Sequence, residues 1–286
     1  MAIAVTTVAS GGLPVTDVTA TNTRLGMHVA EVAKGLAVTK GPGGLPVNFA
    51  PVADWPPARD ADFASVKLLM GFNGADGSIG SPGMADESGA AKGVATVAGN
   101  AKISTAQSKF GGSSLLLDGS GDYLTFPDSA DWFFGTNPFT IECWVYYNVI
   151  TDAEFLSQWD TTIGIGSWKF GRTSTFGLVF NFYDDTNTLR EVVMAWTPTT
   201  GVWYHVAVDR DASGVARSYV NGVMLGKATV PQIVKDSTKA LSIGRIDHST
   251  PRYFNGHIEE ARITKGVARY ASDGGFTLPT FAFPRS

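Results

Sequence analysis

The chain has 286 residues, a formal net charge of −4 and a pI near 5.5. Charged residues make up 17% of it, against roughly 25% in an average soluble protein. Lys and Arg never cluster, which excludes the concentrated cationic footprint of a nucleic-acid-binding surface. The 33 glycines and 14 prolines, with abundant Thr, Val and aromatic residues, predict strands joined by tight turns. So neutral a surface fits contact with neighbours in an assembly, and it fits an ordinary Gly-rich all-β protein equally well. The single cysteine, Cys143, excludes an internal disulfide framework and a cysteine-based zinc cage; a buried, inert thiol is expected.

The opening MAIAVTTVASGGLPV has no basic region and no apolar run long enough for a secretory signal or a membrane span. Synthesis in a cytoplasm is expected, with any role outside a cell reached without a cleaved signal. Gly11-Gly12-Leu13-Pro14-Val15 recurs as Gly43-Gly44-Leu45-Pro46-Val47. Between them, Leu25, Val29, Val32 and Leu36 could line a short amphipathic helix within Asn22 to Lys40. Thr-Val-Ala alternation supports an extended strand there equally well, and periodicity does not decide. The segment holds too few large apolar residues to bury a core of its own, so its order must come from docking. Trp55-Pro56-Pro57-Ala58-Arg59-Asp60 is a proline-broken linker. The expected division is therefore an attachment and oligomerisation segment over 1–60 and a β domain over 61–286.

From Asp62 onward the pattern is β. Phe63 to Met70 predicts a first strand, and Gly71 to Gly89 a polar loop around Asn73, Asp76 and Asp86. Leu115 to Leu117 and Tyr123 to Phe126 flank the turn Asp118-Gly-Ser-Gly-Asp122. In Phe139 to Tyr147, alternation places Phe139, Ile141, Cys143, Val145 and Tyr147 on one face. Thr140, Glu142, Trp144 and Tyr146 take the other. Strands follow at Phe176 to Tyr183, Glu191 to Trp196 and Trp203 to Asp209. Asn221-Gly222, between alternating runs, is a type I′ hairpin turn. Leu241 to Arg245 and Phe254 to Thr264 complete the set. Strands at this spacing without helices between them predict an all-β, antiparallel two-sheet sandwich behind an extended N-terminal segment.

Several ordered motifs carry a resemblance. Leu115-Leu-Leu-Asp-Gly-Ser-Gly-Asp-Tyr-Leu124, Phe139-Thr-Ile-Glu-Cys-Trp-Val145 and Trp203-Tyr-His-Val-Ala-Val-Asp-Arg210 come first. Tyr219-Val-Asn-Gly222, Leu241-Ser-Ile-Gly244 and Phe254-Asn-Gly-His-Ile-Glu-Glu-Ala-Arg-Ile263 follow in the same order. Over residues 62–284 the chain resembles laminin-G-like members of the concanavalin A-like superfamily, which implies a jelly-roll sandwich. The tail Arg262-Ile-Thr-Lys-Gly-Val-Ala-Arg-Tyr270, with Phe276-Thr-Leu-Pro279 and Phe281-Ala-Phe-Pro284, is similar to the version found in tailed-phage structural proteins. That likeness implies a non-enzymatic virion protein, a capsid decoration or a tail- or fibre-associated component. Its expected partners are other virion proteins, bound through residues 1–60, and further copies of itself, with no nucleic acid or membrane contact. The alternative it implies is a receptor-recognition module for host surface polysaccharide. The family usually carries Asp-Glu where this chain has Glu259-Glu260, which puts any role of that Asp in doubt.

The superfamily includes glycoside hydrolases, which set two carboxylates roughly 5–5.5 Å apart for retention. On a strand, that needs acids two or four residues apart on one face. Adjacent Glu259 and Glu260 are expected on opposite faces, and Glu142 stands alone. Gly-x-Ser-x-Gly is absent, and His28, His205, His248 and His257 are scattered; His205 and His257 read as satisfied sandwich residues. The Gly71 to Gly93 stretch lacks Gly-Lys-Ser/Thr, so it is no phosphate cradle. For calcium, a hard cation that wants several oxygens, Asp118 and Asp122 are the candidate ligands, with Glu259, or alternatively Glu260, approaching from a neighbouring strand. The same turn also reads as one whose Asp side chains simply cap backbone N–H groups. For carbohydrate, Glu142, Trp144 and Tyr146 share a face suited to stacking and bidentate hydrogen bonding, with Trp159, Trp168, Trp196 and Trp203 on nearby strands. Core or interface packing explains these aromatics as well.

Overall fold

The computed structural model describes residues 59–160, 166–248 and 250–286, together with the backbone of 36–40 and 47–51. The chain divides into two compact units, Met1–Pro57 and Ala58–Ser286. In the first, β1 (Leu36–Lys40) pairs antiparallel with β2 (Val47–Pro51). The extended alternative therefore holds for Leu36 to Lys40. The rest of the 22–40 stretch, the repeat at 11–15 and most of the linker lie outside the described residues.

The second unit begins with a 3-10 turn, Phe63–Ser65, where sequence alone extends the first strand. Its strands are β3 (Val66–Met70), β4 (Thr96–Ala98), β5 (Lys102–Ser104), β6 (Ser114–Asp118), β7 (Tyr123–Phe126) and β8 (Phe139–Tyr147). Next come β9 (Ala153–Gln158), β10 (Trp168–Thr173), β11 (Gly177–Tyr183), β12 (Leu189–Met194) and β13 (Trp203–Arg210). The last are β14 (Val215–Val220), β15 (Val223–Thr229), β16 (Leu241–Ile243), β17 (Arg245–Ile246), β18 (Arg252–Tyr253) and β19 (Asn255–Lys265). They form two large antiparallel sheets. The first has the order β15-β14-β13-β8-β19-β6-β5, with β3 also on β19; the second runs β12-β11-β10-β9-β16-β7-β4. The expected sandwich is present.

Alternation in β8 does what its residue order dictates. Phe139, Ile141, Cys143, Val145 and Tyr147 are fully buried between the sheets. Opposite them, the second sheet supplies Phe155, Phe170, Phe180 and Phe182, with Phe139–Phe180 ring centres 5.2 Å apart. Burying each such side chain contributes about 1.5–3 kcal/mol, which makes this layer the main source of cohesion. Trp168 joins it and satisfies its indole N–H on the Trp132 carbonyl at 2.8 Å. Cys143 lies in this layer, and burial pushes its thiol pKa well up.

Three local features place side chains that alternation alone misplaces. Asn221 and Gly222 have φ of 49° and 77°, the left-handed pair that a type I′ turn requires. Asp118 to Asp122 is no hairpin: β6 belongs to the first sheet and β7 to the second, so this turn arches between layers. In β19, Glu259 pairs with Trp144 and Arg262 with Glu142, leaving Glu260 and Ala261 opposite Cys143 alone. This is a β-bulge, with Glu260 at φ 52°. Ala261 then points into the core while Glu259 and Glu260 both reach outward. Their expected split onto opposite faces is corrected by that extra residue.

Candidate functional site

The outer face of the first sheet carries the residues singled out for sugar binding, and it is sealed. Glu142 is 0% and Trp144 1% exposed; only Tyr146 is half-buried. The Glu142 carboxylate accepts Arg262 Nε at 2.9 Å, lies 3.0 Å from His205 Nε2 and accepts the Tyr270 hydroxyl. Burial opposes its ionisation, yet the Arg262 guanidinium and His205 hold its carboxyl well below the usual carboxylate range. Asp60 adds ion pairs to Arg262 at 3.2 Å and Arg269 at 2.8 Å. The segment after β19 lies over this network: Asp209 accepts the Ala271 N–H at 2.6 Å, and the Arg262 guanidinium sits 3.7 Å from the Phe283 ring centre. Trp144 is covered by Phe110, edge-on at 5.4 Å, and by Lys109 Nζ at 4.4 Å. Glu142 and Trp144 are thus structural, and a sugar has no access to them. Of the other tryptophans, Trp168 belongs to the core and Trp159 to the opposite sheet; Trp203 tilts against Tyr146 at 5.5 Å.

The three candidate calcium ligands do not converge. Asn255 pairs with Asp118, and Glu259 stands four residues further along β19, about 13 Å away. The Glu259 carboxylate is spent on the amide N–H groups of Lys109 and Phe110, at 2.6 and 2.7 Å. Burial raises its pKa to about 8 in spite of those bonds, and Glu260 beside it adds to the rise. Asp122 accepts the Asn100 N–H at 2.7 Å and the Asp118 N–H at 3.0 Å, while Asp118 accepts from Ser120 N–H at 2.7 Å. The Asn100 side-chain amide, turned to donate, also faces Asp122 and Asp118. These acids tie the arch together, as the capping alternative has it. Among the described residues no group of three or more His, Cys, Asp or Glu could hold a metal ion. His257 is buried beside Ser114 Oγ at 2.9 Å, and burial lowers its pKa to about 4.

The outer face of the second sheet is built differently. Register places Thr96, Thr125, Ser242, Ser157, Lys169, Asn181 and Glu191 side by side across all seven strands. This outward polar row spans six strand spacings, about 29 Å. The odd-numbered strands β7, β9 and β11 run in the same direction, so residues on either side of the row fall on defined flanks. On one flank Tyr123 stacks with Tyr253 at 6.3 Å, with the Arg245 guanidinium 3.7 Å from the Tyr123 ring centre. On the other, Trp159 stacks on Tyr183 at 4.8 Å, with Lys169 Nζ 5.2 Å above the indole.

Two buried acceptors in this face are left unfulfilled. Glu154, 0% exposed, gives one carboxylate oxygen, Oε1, to Arg252 and to Lys169 Nζ at 3.4 Å; its Oε2 has no partner. Asn181, 6% exposed, donates through Nδ2 to Glu191 at 3.1 Å, while its Oδ1 has none. A buried polar group without a partner costs about 1–3 kcal/mol; Trp144 Nε1, His205 Nδ1 and Asp209 Oδ1 on the first sheet are in the same position. Glu154 and Glu191 stand three strand spacings apart, about 14 Å, beyond the roughly 6.5–9.5 Å of an inverting pair. Asp152, two residues before Glu154, is turned away to the Ser174 N–H at 2.6 Å. Sequence reasoning missed this face, since β9 and β10 were not among the expected strands. The signal available was Trp168-Lys169-Phe170, a cation held between two core aromatics.

A two-layer antiparallel sandwich of this topology is the architecture of a lectin-type fold. The chain belongs to the concanavalin A-like lectin/glucanases superfamily, whose laminin-G-type model matches residues 118–269. Solved structures share the fold at low identity. The binding domain of Paraclostridial Mosquitocidal Protein 1 matches with a TM-score of 0.55 and 12% identity, over 72% of this chain and 50% of its own. Domain 4 of the GH43 extracellular arabinanase AbnA from Geobacillus stearothermophilus, solved in complex with arabinotriose, gives 0.53 and 18%, over 71% and 93%. The binding domain of Botulinum neurotoxin DC, in complex with rat synaptotagmin II, gives 0.52 and 15%, over 72% and 50%. The chain spans about half the length of the toxin binding domains it matches. No curated protein sequence matches it.

Proposed function

We propose that this protein is a non-catalytic glycan-recognition module, holding surface polysaccharide on the outer face of its second sheet and attached to a larger particle through residues 1–60. The observation that carries this reading is the transverse polar row with its flanking aromatic pairs, of which Tyr123 and Tyr253 are half-exposed. Stacked rings offer flat apolar surface to the C–H faces of a sugar, and the row offers hydroxyl, amide and charged partners for its hydroxyls. The neighbour solved with arabinotriose is consistent with that ligand class. Carboxylate spacing favours binding over hydrolysis.

The entry point of the sandwich supports the attachment half of the reading. Asp60 N–H donates to the Ser286 carbonyl at 2.8 Å, and its carboxylate is locked to Arg262 and Arg269 on the first-sheet side. The particle we have in mind is a tailed-phage virion, on the likeness of the 262–284 tail to phage structural proteins. Copies joined through their leaders would present several glycan faces and gain avidity.

A pull-down on insoluble host-surface polysaccharide tests recognition: the full chain should be retained, and Trp159→Ala with Tyr253→Ala should reduce retention at least tenfold. Equal retention of the variant would remove the second sheet from consideration. For attachment, a chain lacking residues 1–57, which keeps Asp60 in its ion pairs, should fold yet fail to enter particles; normal incorporation would refute that half.

A further inference from the structure

We infer that Phe283-Pro284-Arg285 is a plug seated in a peptide socket on the outer face of the first sheet, and that this socket takes the same plug from a second copy of the chain. This goes beyond the recognition and attachment readings and rests on neither.

The socket has an apolar floor and a charged clamp. Phe283, 3% exposed, packs with Val66 and Leu69, and with Phe63 beside them, in a cluster apart from the main core. The Arg262 guanidinium lies 3.7 Å from its ring centre, a cation–π contact. At the charged end, Arg285 meets Glu260 twice, Nη2 to Oε1 at 2.6 Å and Nη1 to Oε2 at 2.7 Å. Its Nε reaches Glu87 Oε2 at 2.5 Å, and the Phe283 N–H donates to Glu260 Oε2 at 2.6 Å. A forked pair of this kind selects arginine by shape as well as charge. A buried aromatic anchor beside an arginine clamp is also how binding hot spots are built. The ligand class is thus an extended peptide with an aromatic residue two positions before an arginine.

The socket is built at a local cost. Glu260 takes φ 52° in the β19 bulge, a conformation that non-glycine residues adopt mainly at clamps and switches. The plug, by contrast, is loosely tethered. Among the described residues, 277–282 make no hydrogen bond, and the last backbone anchor before the plug is the Phe276 N–H on the Gly222 carbonyl at 2.8 Å. Freed, these six residues span about 20 Å. The family match ends at residue 269, so the plug lies beyond the shared sandwich. An emptied socket strands the Glu260 carboxylate, 0% exposed, without its ion-pair partner, which favours refilling over standing open. A plug from another copy restores the same contacts, so exchange sacrifices none of them.

Fluorescence anisotropy with a labelled peptide of residues 277–286 tests the socket, on a full chain whose own plug is disabled by Phe283→Ala and Arg285→Ala. The peptide should bind, and the same peptide carrying Arg285→Ala should bind at least tenfold more weakly. Adding Glu260→Gln to the plug-disabled chain should cost tenfold or more; Glu87→Gln reads the same clamp if the Glu260 variant fails to fold. Exchange is read by native mass spectrometry on a mixture of the plug-disabled chain and a Glu260→Gln chain with its plug intact. Mixed pairs should be at least tenfold more abundant than when both chains carry the disabled plug. A peptide that does not bind, or binds equally without its arginine, would overturn the socket. Peptide binding with no excess of mixed pairs would overturn the exchange.

Discussion

The two outer faces of the sandwich use similar residues to opposite ends. On the first sheet, Glu142, Arg262, His205, Tyr270, Arg269 and Asp60 close on one another beneath the segment that follows β19. On the second, Glu154 sits beside Lys169 and Arg252 with an oxygen to spare, and Asn181 beside it is half satisfied. Aromatics follow the same division: Trp144 lies beneath Phe110 and Lys109, whereas Tyr123 and Tyr253 stay half-exposed. Buried atoms without a partner occur on both faces, His205 Nδ1 and Asp209 Oδ1 on the first and Glu154 Oε2 and Asn181 Oδ1 on the second, so what separates the faces is the cover laid over the first. Substitutions on the first face should therefore change stability, and those on the second should change binding alone.

The largest effect is expected at Arg262→Met, which strands the Glu142 carboxylate at zero exposure. Breaking a buried pair in this way costs about 3–5 kcal/mol, readable as a lowered urea midpoint. A loss of less than about 1 kcal/mol would mean that the first face does not depend on this network. The next effect is a pH dependence. The Glu259 carboxyl titrates near 8 in the folded chain, against an ordinary value of 4.5. The folded state thus holds this proton more tightly than the unfolded one. Its contribution is complete below about pH 4.5 and is lost as pH rises through 8, at up to about 1.4 kcal/mol per pH unit. Asp209, raised by burial to about 6, adds to the same trend at lower pH. In urea titrations Glu259→Gln, which cannot ionise, should lose less stability between pH 5 and 8 than the unaltered chain. Parallel curves would show that this carboxyl is not the source.

Smaller still is Gly222→Ala. It forces a side chain into the left-handed region at φ 77° and against the Phe276 carbonyl, for about 1–2 kcal/mol. At the bottom of the scale, Asn181→Ala should stay within about 0.5 kcal/mol of the unaltered chain, because the amide it removes was only half bonded. A large loss of stability there would blur the distinction between the faces.

The strands of the first sheet were largely legible in the sequence. β8 alternates cleanly, and Asn221-Gly222 fixes the β14–β15 turn. β9 and β10 were not legible, because a register shift at Phe170/Gly171 lets both Phe155 and Leu156 face the core and erases the period of two. Glu259 and Glu260 were misassigned for a related reason: the bulge rests on a glutamate at positive φ, a residue type that does not announce one. The expectation of aromatics with a carboxylate on one face put Glu142, Trp144 and Tyr146 on the outer face of the first sheet, where Glu142 and Trp144 are buried. Alternation identifies the outward residues of β8 but cannot reveal that Tyr270 and Phe283, more than a hundred residues later, fold back over them.

The difference between the faces is tested most directly by hydrogen exchange on the full chain, with and without whichever glycan binds it. Ligand-dependent protection should appear in residues 153–159, 168–183 and 241–253, and be absent from 139–147 and 203–210. Protection confined to those last two segments would place the ligand on the first sheet and contradict the assignment made here.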